Sequence, residues 1–145
     1  MTSMTKQGVP SAPGTLRQPR VGRSLVSGLY LVTGGVHLGI VVTDTGFHRH
    51  FADGALFPFV RDRWAEVLMA AATIWGVCLA AGEILLGTLL VLGGPWAKTG
   101  WVGVVAFHLL LMLLGFSVLR SVPMLAVLSS LAVRDWPRLS DRSRT

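Results

Sequence analysis

Residues 78–94 read CLAAGEILLGTLLVLGG, with one carboxylate, Glu83, in a run otherwise made of apolar and small residues. A carboxylate in such a setting is costly unless it is paired, hydrogen-bonded or neutralised. The fold therefore turns on what the rest of the chain puts around it. Of its 145 residues, 52% are hydrophobic, only 14% are charged, and seven are acids. An ordinary soluble domain carries about 25% charged residues and spreads them over its surface. Here the charges are swept to the two ends and one loop, which is the pattern of a membrane protein.

Working outward, four apolar runs are expected to form the helices of an all-α, polytopic membrane protein, a four-helix transmembrane bundle with a short fourth helix. The first, 24–43, has no charge. At about 1.5 Å per residue it covers a hydrocarbon layer of roughly 30 Å. The second, 64–94, holds only Glu66 near its start and Glu83 inside. It is longer than a bilayer needs and is expected to tilt, or to kink near Gly76 or Gly82. GGPWAKTG, at 93–100, reads as a hairpin connection to the third span, 100–119. The fourth, 121–133, begins with Pro123 near its first turn and is short for a crossing. Snorkelling by Arg120, or a dip into the membrane without crossing, would accommodate it.

Charge sets the expected orientation. Residues 1–23 carry Lys6, Arg17, Arg20 and Arg23 with no acid, and 134–145 carries four arginines against Asp135 and Asp141. Both ends read as cytoplasmic, 1–23 as a disordered basic tail and 134–145 as a second basic tail. The formal charge of +6 is thus an orientation signal, and no nucleic-acid partner is expected. Arg17, Arg20 and Arg23 are placed to touch anionic lipid headgroups, at about 1 kcal/mol per basic residue. No small-residue cleavage pattern follows the first span, which reads as a retained anchor. A single cysteine, Cys78, excludes an intramolecular disulfide and any Cys-pair redox motif.

Counting inward from the cytoplasmic ends of the spans places His37, Glu83 and His108 at depths of roughly 18, 16 and 12 Å. Three ionisable groups on three helices fall in one slab, and each is expensive against lipid. They are expected to point inward and meet, with Glu83 accepting a hydrogen bond from His37 or His108. The plainest role is polar glue between helices, worth about 0.6–2 kcal/mol per contact. Three functional readings stand beside it: a proton or quinone site, haem held by His37 and His108, and a metal held by His37, Glu83 and His108. Haem is the weaker of the first two because neither histidine has a His-x-x-His partner. The metal reading has no spacing to support it, and none is expected. The pair His48 and His50 in the 44–63 loop flanks Arg49, as an exposed polar loop does. Gly35 and Gly39 form a GxxxG that is expected to pack against Gly76 and Ala80. No nucleotide loop, Ser-His-Asp set or carboxylate pair is present, so catalytic residues stay unknown.

GLYLVTGGVHLGI, a long loop, and then AGEILLGTLLVLGGPWAKTGWVGVVAFHLLLMLLG resemble the DoxX-like family of small four-helix bacterial membrane proteins over roughly residues 24–133. Glu83 falls where that family's second helix often carries a glutamate. The resemblance implies a subunit of the bacterial cytoplasmic membrane that anchors or serves a redox complex, quinone-linked in some relatives, with little catalysis of its own. It implies other redox proteins as partners besides the lipid bilayer. The short, Pro-interrupted fourth helix, His108 and the basic tail depart from the family pattern. A small proton-coupled transporter and a structural or assembly subunit of a respiratory complex are the alternatives.

Overall fold

The computed structural model describes residues 21–44, 46, 53, 55, 57–114 and 118–141. Arg17, Arg20, His48 and His50 lie outside them, as does most of the expected N-terminal tail. Helix is the one conformation that pairs the backbone donors and acceptors of so apolar a chain within each segment. All regular structure among the described residues is helical: α1 (Val21–Thr43), α2 (Pro58–Arg63), α3 (Ala72–Leu92), α4 (Gly94–Leu114) and α5 (Val118–Asp141). Three runs, Val21–Thr43, Pro58–Leu92 and Gly94–Leu114, are long and apolar enough to cross a membrane.

The break in the second run falls between α2 and α3 rather than at Gly76 or Gly82. There a π turn, Trp64–Leu68, and a 3-10 turn, Met69–Ala71, interrupt the α-helix, and Ala71 leaves helical geometry with φ −132° and ψ 41°. Such turns bend a helix because they rephase its hydrogen-bond ladder. Gly76 and Gly82 both lie inside α3, and at Gly76 the missing side chain admits Val41 of α1.

The connection from α3 to α4 is shorter than GGPWAKTG implies. Gly93 stands alone between the helices at φ +76° and ψ −169°, and Gly94 follows at φ +57°. Both lie in backbone regions that favour glycine. Pro95 then occupies the first turn of α4, where its missing N–H costs nothing.

α1 packs on α3, α3 on α4 and α4 on α5, and α5 returns to touch α1. The α1–α3 contact is close enough to be backbone on side chain. A Cβ on Gly34 would lie 2.7 Å from Ile84 Cγ1 and 3.0 Å from the Ala80 carbonyl, and one on Gly87 would lie 3.1 Å from the Ser27 carbonyl. Ser27 also donates to the Gly87 carbonyl at 2.8 Å. Gly76 and Ala80 are buried in this contact, whereas Gly35 and Gly39 are not part of it: the space around both is open. Consecutive helical residues point about 100° apart, so the glycine that faces α3 is Gly34.

α5 is longer than the apolar run that predicts it and continues through 134–141. Ser121, Leu128, Ala132, Asp135 and Leu139 are its buried positions, spaced by the three- and four-residue steps of one helix face. Leu128, Ala132 and Leu139 join Val26, Tyr30, Leu90, Ala97, Trp101 and Val104 in the main core. Pro123 is inside the helix, beyond its first turn, and removes the bond to the Leu119 carbonyl. Beyond Val133, Leu139 and Asp135 tie α5 to the bundle. The Asp135 carboxylate lies 3.5 Å from the guanidinium of Arg23 and accepts a hydrogen bond from Trp101 Nε1 at 3.1 Å. Arg23 is therefore 7% exposed and paired inside the bundle, which corrects its expected place among lipid headgroups.

Candidate functional site

The packing of α1 along α3, with the Tyr30 side chain reaching across to α4, decides which polar groups meet. Tyr30 and His37, two turns apart, lie on one face of α1. Glu83 projects from α3 and His108 from α4. His37 Nδ1 and Glu83 Oε2 are 2.5 Å apart, with the carboxylate side chain 7% exposed and the imidazole 20%. One proton serves this bond from either side. The ring donates Nδ1–H to a carboxylate, or a protonated carboxyl donates O–H to a bare nitrogen. Glu83 is thus tolerated in its apolar run because α1 supplies a partner within hydrogen-bond reach.

His108 takes a different partner. Its Nδ1 is 2.9 Å from the hydroxyl of Tyr30 and 3.3 Å from the Val104 carbonyl one turn back on its own helix. Tyr30 is 3% exposed. Its ring meets Phe107 edge to face with centroids 6.0 Å apart, a favoured geometry for aromatic pairs. The three residues expected to meet are therefore divided between two hydrogen-bonded pairs, His37–Glu83 and Tyr30–His108, the second completed by a residue not among the three. The Glu83 carboxylate is within electrostatic reach of both Tyr30 and His108. Among the described residues no group of three His, Cys, Asp or Glu side chains is placed to hold a metal ion.

Sequence reasoning missed Tyr30. The signal was available, because a tyrosine one heptad before His37 falls on the same helix face. What it lacked was charge, so it did not stand out in an apolar span.

Beside the two pairs runs an apolar groove of about 550 Å³ between α3 and α4, walled by Trp64, Trp75, Leu79, Gly82, Phe107 and Leu111 among others. The link to the polar pairs is Phe107, whose ring forms part of this wall and meets Tyr30 and His108 edge to face with centroids 6.0 and 6.2 Å apart. Cys78 also lines it. Among the described residues, no titratable side chain lines a groove of about 630 Å³ between α4 and α5.

No protein-family model, curated protein or solved structure matches the chain. The functional reading therefore rests on the residues and their geometry.

Proposed function

We propose that the protein is a small integral membrane subunit that anchors or serves a redox complex, with a site for a lipid-soluble, proton-carrying ligand of the quinone type. One observation carries this reading: two buried hydrogen-bonded pairs, His37–Glu83 and Tyr30–His108, lie next to an apolar groove with tryptophan and phenylalanine walls. A carrier that gains protons with its electrons needs an apolar slot for its body and groups that donate and accept protons at its head. Both are within one bundle here. The DoxX-like resemblance points to the same class of work.

In this reading α5 is the fourth span. Its 24 residues extend roughly 36 Å at 1.5 Å per residue. Asp135 does not oppose insertion because Arg23 neutralises it within the bundle. Four crossings put both basic ends on the cytoplasmic side of a bacterial inner membrane.

Two measurements test the proposal. A short-chain quinone titrated into the protein in nanodiscs is expected to quench tryptophan fluorescence saturably, because Trp64 and Trp75 line the groove. Glu83→Gln and His37→Ala are expected to weaken that binding roughly tenfold, the loss of one hydrogen bond to a charged group. Quenching that never saturates, or is the same in both variants, removes the site. Isolation from native membranes in mild detergent is expected to bring a redox partner in stoichiometric amount. Elution as a lone small protein would remove the anchoring role.

A further inference from the structure

Tyr30 is the only tyrosine of the chain, and its hydroxyl closes a triangle of three polar atoms where α1 meets α4. The sides are 2.9 Å from Tyr30 oxygen to His108 Nδ1, 3.3 Å from His108 Nδ1 to the Val104 oxygen, and 3.5 Å from Tyr30 oxygen to the Val104 oxygen. The carbonyl only accepts, and its second lone pair is free to do so beyond its helix bond. The hydroxyl donates and accepts, while the ring nitrogen does one or the other according to its protonation.

Counting hydrogens gives two states. With Nδ1 bare, the triangle holds one hydrogen, and Tyr30 donates it to Nδ1. With Nδ1 protonated it holds two. The ring N–H donates to the tyrosine oxygen, and the hydroxyl turns to the Val104 carbonyl. Every donor of the triangle has a partner in both states, and apart from the added proton only a hydroxyl rotation separates them. Most buried histidines lack this latitude, because gaining a proton turns an acceptor into a donor and leaves the old partner facing it.

We propose that Tyr30, His108 and the Val104 carbonyl form a proton-exchange site, in which the tyrosine hydroxyl relays one proton to and from the imidazole. The step balances as follows. An O–H bond of a hydronium ion or of a ligand hydroxyl breaks, leaving water or the ligand's oxyanion, and its proton bonds to the Tyr30 oxygen. The O–H bond directed at His108 breaks as the Nδ1–H bond forms, and the new O–H points to Val104. Tyrosine is neutral before and after, and the imidazole carries the added charge. From α3, Glu83 faces that charge, and His37 of α1 stands behind Glu83. On α5, Asp135 is engaged elsewhere, with Arg23 of α1 and Trp101 of α4. The identity of the ligand that trades the proton rests on the quinone-type reading above, but the triangle can be tested with no ligand present.

The full chain, labelled with ¹³Cζ-tyrosine and ¹⁵N-histidine and reconstituted in phosphatidylcholine bilayers, gives one tyrosine signal. That signal is expected to move at the pH where the His108 ring nitrogens change protonation. A tyrosine signal that stays flat through the His108 transition, or a His108 that takes up no proton, overturns the proposal. Tyr30→Phe keeps the ring against Phe107 and removes only the hydroxyl. In this variant neutral His108 is expected to shift roughly tenfold toward the Nδ1–H tautomer, with Val104 as its acceptor, while the His37 signal stays in place as the control for folding. An unchanged tautomer ratio in the folded variant also overturns it. Because neither measurement contains quinone, a failure here is separable from a failure of quinone binding.

Discussion

Asp135→Ala is expected to destabilise the protein by about 3–5 kcal/mol, the cost of leaving one member of a buried ion pair without its partner. Arg23 and Asp135 are 7% exposed each. One of the two terminal guanidinium nitrogens, Nη1, is buried with no hydrogen bond and has only the charge of Asp135 at 3.5 Å to compensate it. Removing that carboxylate strands a full positive charge and takes the acceptor from Trp101 Nε1 as well. The readout is chemical unfolding in detergent micelles. Replacing both residues with leucine is expected to recover most of the loss, since a buried pair exchanged for apolar side chains is often neutral. An Asp135→Ala protein with the wild-type midpoint would show that α5 is held by its apolar contacts alone.

The second large effect is predicted at Gly34. Alanine there is expected to cost about 1–3 kcal/mol through overpacking. Two of the three atoms that its Cβ would meet are backbone, the Ala80 carbonyl oxygen at 3.0 Å and the Ile84 nitrogen at 3.2 Å. A flexible side chain could give way, but these atoms move only if α3 moves. Gly35→Ala and Gly39→Ala meet nothing within 4 Å. Each is expected to leave stability within about 0.5 kcal/mol, or to raise it because alanine is the better helix former. The comparison is made on the same unfolding curves. A silent Gly34→Ala beside a costly Gly35→Ala would return the α1–α3 contact to the GxxxG face.

These two positions also show where sequence reading ends. The positions of the helices were legible because hydropathy averages over a whole segment, and an error of a few residues at an end changes little. Glu83 and His37 were legible as partners for a related reason. Each is conspicuous in an apolar span, and depth alone brings them to one level. Gly34 was not legible in preference to Gly35, because neighbours in a helix differ by a rotation of about 100° and adjacent glycines carry no pattern to choose between them. Arg23 and Asp135 were hidden differently. Each lies at the charged margin of a span, where positive residues ordinarily face headgroups, and only the docking of α5 turns them toward each other. Tyr30 was invisible as a polar group because its hydroxyl matters only once His108 is across from it.

The single residue between α3 and α4 has a consequence for how the chain reaches its structure. With Gly93 alone as the connection, contacts such as Gly100 on Leu90 join residues close in sequence, and little loop entropy opposes them. The α1–α3 contact closes over the whole 44–71 segment, and the Arg23–Asp135 pair joins the first described helix to the last. Loop length alone therefore orders assembly: the α3–α4 hairpin first, α1 onto it next, and the clasp of α5 on α1 last. Pulse-labelled hydrogen exchange during refolding would read this order directly, as protection in α3 and α4 ahead of α1. If protection in α1 came first, closure entropy would not be what sets the pathway.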